Sequence, residues 1–179
     1  MGSSLTWTLS SDFGYVLLVG VLIAFEVLLV GFFFPGKVRG EVFTEEFMKT
    51  NFGEQHKTST GVEIEKGGYP DMGNGRYSAK LSYDQWYKFN NAQRAHYNFV
   101  EFAPSCFVML FISGIYFPIP AAVLGLALFI GRLIYSIGYV NGGPKGRVIG
   151  AIIGDLVLLG LLGLSLASAI MFIQGKESL

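Results

Sequence analysis

The chain has 179 residues, of which 51% are hydrophobic and 15% charged, and its formal net charge is zero. An average soluble domain carries about 25% charged residues, so this balance points to a membrane protein with a single domain and offers nothing to a nucleic-acid partner. A lone cysteine, Cys106, excludes an intrachain disulfide and any cysteine-built metal centre, and two separated histidines, His56 and His96, give no metal or haem site.

The opening fifteen residues, MGSSLTWTLSSDFGY, contain no Lys or Arg. A cleavable leader would be basic there, so the apolar stretch that follows reads as a retained anchor. MGSSLT also fits the weak myristoylation pattern at Gly2. Four apolar segments follow in order: Phe13–Phe34, Gln93–Phe117, Pro118–Tyr139 and Arg147–Gln174. Each supplies the roughly 20 helical residues that cross a bilayer core. The expected fold is all-α, an integral membrane four-helix up-down bundle. The second and third spans are joined only by YFPIP, which demands a tight antiparallel hairpin. The third and fourth are joined by NGGPKG, where Gly142, Gly143 and Pro144 end one helix and turn the chain.

The link between the first two spans, residues 35–88, is long, polar and glycine-rich, with EVFTEEFMKTNF as a short amphipathic helix and EKGGYPDMGNGRY as loop. It carries Lys37, Arg39, Lys49, Lys57, Lys66, Arg76, Lys80 and Lys88, and the link after the third span carries Lys145 and Arg147. Both basic links therefore face the cytoplasm or its equivalent, with both termini on the opposite side. Glu26, inside the first span, is expected to hydrogen-bond to a neighbouring helix, because a bare charge at that depth is costly. Asp155 is expected to pair with a charge on another helix, and Gly160 and Gly163 to serve close packing.

Chemistry concentrates in FNNAQRAHYNFVE, residues 89–101. On a helix, Asn90, Arg94, Asn98 and Glu101 fall within an arc of about 80°. In the third span, Arg132, Tyr135 and Tyr139 fall within about 60°. The expected topology brings both stripes to the same membrane side, beneath Lys145 and Arg147. Pairing of Arg94 or Arg132 with Glu101 would satisfy part of this set. The remaining donors exceed what one carboxylate accepts, which suits an anionic guest such as a peptide with free carboxylates.

The second-span run FNNAQRAHYNFVE, the third-span run GRLIYSIGYVNGGP and the opening DFGYVLLVG resemble the membrane-associated proteins in eicosanoid and glutathione metabolism, most closely the microsomal glutathione transferase 3 type. The resemblance runs over about two-thirds of the chain, in the right order. It implies a homotrimer of four-helix subunits in the endoplasmic reticulum or a mitochondrial membrane. It also implies glutathione as co-substrate, bound between subunits, and a lipophilic electrophile or lipid hydroperoxide arriving from the membrane lipids. By motif position, Asn90, Arg94, Asn98 and Glu101 would hold glutathione, with Arg132, Tyr135 and Tyr139 from the third span, and Arg39 or Lys37, after the first span, at a carboxylate. Arg147 would be the catalytic cation that stabilises the thiolate, and no metal is required. Two departures stand out: Phe102 follows the Glu where several members have Tyr, and the 35–88 link is far longer than usual. The latter keeps open a second reading, a non-catalytic accessory subunit of a larger membrane complex, such as a mitochondrial one, that reuses this fold.

Overall fold

The computed structural model describes residues 9–176, so the pattern at Gly2 lies outside the described residues. Helix α1 runs Phe13–Gly31. It continues through a π-turn at Phe32–Gly36 into α2, Lys37–Val42. Pro35 explains the widened turn, since its ring nitrogen has no hydrogen to give the helical ladder. Helix α3 (Glu45–Thr60) is followed by an irregular segment and a 3₁₀ turn at Ser78–Lys80, then α4 (Tyr83–Tyr116), α5 (Pro118–Gly146) and α6 (Val148–Ile173). Among the described residues four stretches are long and apolar enough to cross a membrane: Phe13–Val42, Tyr83–Tyr116, Pro118–Gly146 and Val148–Ile173.

Cross-helix contacts fix the direction of each span. A Cβ on Gly20 would meet Phe111, and one on Gly31 would meet His96, so α1 and α4 run antiparallel. Ser113 Oγ bonds Leu161 O at 3.1 Å and lies 3.0 Å from Ser165 Oγ, while Tyr116 OH donates to Lys176 O, so α4 and α6 run parallel. Helices α1 and α6 both pack on the α4–α5 pair, which forms the centre. Its core is Val16, Val19 and Ile23 from α1 meeting Phe99, Cys106 and Leu110 from α4, with Leu128 of α5 and Leu161 of α6. Leu17, Leu28, Ile130, Leu156 and Leu166 point outward, the pattern of a chain dissolved in lipid.

The α5–α6 elbow is sharper than the sequence expectation. Gly143 takes φ 60°, ψ −150°, which breaks α5 internally. The chain then folds back so closely that a Cβ on Gly138 or on Gly146 would strike the other's carbonyl oxygen. Gly150 likewise lies against the backbone of Tyr135. Gly160 packs on Leu124 as expected, but a Cβ on Gly163 would enter open space, so that glycine is no packing residue within the chain.

The principal correction concerns the link. Helix α4 begins ten residues before Gln93, with Ser82 and Gln85 forming a reciprocal capping box. At 34 residues it is about 51 Å long, against a hydrocarbon core of about 30 Å, so its polar N-terminal turns stand outside the bilayer. Helix α3 extends to Thr60, started by the Thr44 hydroxyl on Phe47 N–H and stopped by left-handed Gly61. Val38, Val42, Phe43, Met48, Phe52, Ile64 and Phe89 form a second apolar core beneath these elements. The 35–88 stretch is therefore a packed cap, not an open loop.

Asp71 organises the irregular part of the cap. Burial opposes its charge, but N–H groups of Ser78 (2.8 Å), Gly73 (2.8 Å) and Gly75 (3.1 Å) converge on its carboxylate, and together they hold its pKa below the ordinary aspartate value. A carboxyl depressed in the folded state contributes stability above its unfolded pKa and loses it as pH falls through the folded one. Amide exchange of residues 73–78 should accordingly accelerate on acidification below the usual aspartate range, beyond the intrinsic pH dependence. Asp71→Asn should show that acceleration already at neutral pH.

Candidate functional site

Arg132 sits at membrane depth on α5 and is 3% exposed. Its guanidinium carbon lies 4.2 Å from the Tyr135 ring centroid, 4.5 Å from Phe99 and 5.1 Å from Phe102. Three aromatic faces thus surround a cation withdrawn from water, an arrangement ring quadrupoles favour. Nη1 donates to Asn98 Oδ1 at 2.9 Å, while Nε and Nη2 meet no hydrogen-bond partner among the described residues. Asn98 of α4 and Arg132 of α5 are therefore joined directly, and the two stripes converge at this point.

One helical turn nearer the elbow, Tyr135 links the two cations. Its hydroxyl oxygen accepts from Arg147 Nη1 at 2.9 Å, leaving the hydroxyl proton free to be donated onward. A phenol that accepts a charged hydrogen bond becomes a better donor itself. Arg147 also lies 5.4 Å from the Tyr139 ring centroid, and Tyr135 and Tyr139 contact each other at 5.8 Å. The elbow makes this possible: Gly138 and Gly146 bring the chain back so that Arg147, at the first residue after the turn, faces Tyr135.

These groups line a cleft of about 310 Å³ between α4, α5 and α6, with Asn98, Phe102, Arg132, Tyr135, Arg147 and Asp155 on its walls. That volume is at the lower end of small-molecule sites. Two guanidiniums face one carboxylate, so the cleft has a net positive wall. Among the described residues Asp155 forms no ion pair, contrary to the expected pairing with a charge on another helix; Arg132 bonds Asn98 instead, and Asp155 stays exposed on the cleft wall. The position of Asp155 about two turns into the last span is the signal that could have placed it in the site.

The other expected residues lie elsewhere. Arg94 and Glu101 are 4.0 Å apart, with side chains 52% and 62% exposed, on an outer face of α4 away from the cleft. Asn90 and Arg39 are engaged by the cap: Asn90 Nδ2 donates to Gly73 O at 2.9 Å, and Arg39 Nη1 donates to Gly67 O at 3.0 Å. Glu26 is 3% exposed within electrostatic reach of Arg132, yet neither carboxyl oxygen meets a hydrogen-bond partner among the described residues, which corrects the expected helix-to-helix bond. His96 packs against Gly31 of α1 rather than in the cleft. Among the described residues no group of His, Cys, Asp and Glu could hold a metal ion.

Tyr135→Phe tests the central link. The variant keeps the ring that faces both cations and removes only the acceptor for Arg147. It should lower stability by about 1–2 kcal/mol, measured by thermal unfolding in detergent, whereas Tyr139→Phe, whose hydroxyl takes no part in this link, should cost less.

The MAPEG family model matches residues 15–167, which include the second and third spans, most of the first and fourth, and every cleft residue. The chain belongs to the MAPEG family, a family of multi-pass helical membrane proteins of glutathione and eicosanoid metabolism.

Proposed function

We propose that the chain is a membrane-bound glutathione transferase or peroxidase. It would conjugate glutathione to lipophilic electrophiles, or use it to reduce lipid hydroperoxides, at the Arg132–Tyr135–Arg147 cleft. The observation that carries this reading is the paired guanidiniums bridged through one phenol in a family member. Glutathione is anionic and needs its thiol ionised, since the thiolate is the nucleophile. A nearby guanidinium favours the charged form. Arg147 is the candidate for that role, with the free proton of the Tyr135 hydroxyl as a second donor toward sulfur. Asn98, Arg132 and Tyr139 would complete the polar wall. In conjugation the thiolate sulfur forms the new S–C bond while the leaving group, or the conjugated acceptor, takes the electron pair.

The Arg94–Glu101 pair supports an assembly. A charged pair exposed on a lipid-depth helix is costly in hydrocarbon, and a second copy of the chain would cover it. We infer a homotrimer of the family kind, with Arg94 and Glu101 completing the glutathione site at the subunit boundary. Lipophilic substrate would reach the cleft past the outward apolar residues Val148 and Ile152, which line its wall. The accessory-subunit reading draws on the cap, whose own apolar core gives the chain a folded surface outside the membrane.

Titration of the purified protein with reduced glutathione should raise its melting temperature by mass action and produce the ultraviolet absorbance of a thiolate. Arg147→Ala should abolish that absorbance and lower conjugation rate roughly 10²-fold or more, whereas Tyr135→Phe, which loses the same Arg147–Tyr135 hydrogen bond and lowers the melting temperature of the free protein comparably, should keep the absorbance. Absence of both glutathione signals in the unmodified chain would favour the accessory-subunit reading.

A further inference from the structure

The cap carries a recognition site of its own. Arg39 is 5% exposed. Its Nη1 donates to Gly67 O at 3.0 Å and to Gly68 O at 3.4 Å, and its Nη2 to Met72 Sδ at 3.3 Å. The face of the guanidinium lies 4.2 Å from the Tyr69 ring centroid. On the neighbouring helix, Asn90 Nδ2 and Trp86 Nε1 both donate to Gly73 O, at 2.9 and 3.1 Å, and Gln93 Nε2 reaches Met72 Sδ at 3.8 Å. The donors all belong to α2 and α4, both continuous with membrane spans, and the acceptors all belong to residues 67–73. This is the geometry of a receptor and a peptide ligand within one chain.

The turn is shaped for that seat. Gly67, Gly68 and Gly73 have φ of 95°, 62° and 103°, values at which a side chain is strained. Close approach adds a second requirement. A Cβ on Gly68 would sit 2.5 Å from the Phe43 ring, and one on Gly73 would sit 2.9 Å from Asn90 Oδ1. Asp71 draws in three backbone N–H groups from residues 73–78, so the turn is held from within as well as by Arg39.

We propose that Arg39, Asn90 and Gln93 form an internal receptor for the Gly67–Gly73 turn, which occupies it in place of any soluble ligand. Carbonyl oxygens and a thioether take the positions where a carboxylate would otherwise meet Arg39. The polar face of α4 is thereby divided: its outer end is sealed by the chain itself, and its inner end opens on the Arg132–Arg147 cleft. Arg39 and Asn90 belong to cap assembly, and glutathione, on the reading above, binds without them.

Hydrogen exchange of the full chain in lipid nanodiscs, with reduced glutathione as the probe, tests this. Arg39→Gln should raise exchange of residues 67–78 roughly tenfold or more, the loss expected for a buried charged donor, with protection in α4–α6 kept. Gly73→Ala should do the same while leaving every donor in place, and it decides the matter if Arg39→Gln fails to fold. Saturating glutathione should leave protection of 67–78 in the unmodified chain unchanged. Release of the turn by glutathione would overturn the proposal. So would an Arg39→Gln chain that loses glutathione affinity while its turn exchanges as before, or a Gly73→Ala chain with unaltered exchange. If glutathione fails to bind at all, the two exchange comparisons without it still decide this proposal, separately from the enzymatic reading.

Discussion

A guanidinium at bilayer depth is the constraint around which this molecule is arranged. Arg132 cannot face hydrocarbon, because an unpaired charge there is costly. The fold answers with three aromatic rings and the Asn98 carbonyl oxygen. Phe99 and Phe102 lie on α4 and Tyr135 on α5, so caging the cation also ties the two central helices together. Tyr135 then serves twice, with its ring toward Arg132 and its hydroxyl toward Arg147. Stability and candidate chemistry rest on the same few side chains.

Much of this was readable in the sequence, for definable reasons. Apolar runs of about 20 residues permit few structures in a bilayer, so the four spans and their up-down order were legible. Helical periodicity placed Arg132, Tyr135 and Tyr139 on one face of α5, and Asn98 on the face of α4 that meets them. It could not say which members of the α4 stripe turn inward. Asn90, Arg94, Asn98 and Glu101 share an arc of about 80°, but adjacent structures divide that arc between cap, cleft and outer surface. Tertiary context decides such divisions, and period alone does not contain it.

The cap was the least legible part. Hydropathy ended the spans where polarity began, although the first span runs on through the π-turn into α2, and α4 begins well before its apolar part. Local capping chemistry, Ser82 with Gln85 at α4 and Thr44 at α3, sets where these helices start, and apolar content does not contain it. The irregular turn at 67–73 left only glycines as a trace in the sequence. Its hydrogen-bond partners come from residues far away in the chain, including an arginine that motif position alone assigns to a small-molecule ligand.

The elbow after α5 has a wider implication. Arg147 owes its station beside Tyr135 to two hydrogen atoms, those that Gly138 and Gly146 carry where other residues carry carbon. Neither glycine touches the cleft, so neither has a chemical part to play there. A survey of substitutions that break the Tyr135–Arg147 contact would nonetheless be expected to rank both beside the charged residues, because the permitted chain path and the geometry of the cleft are the same fact seen at two scales.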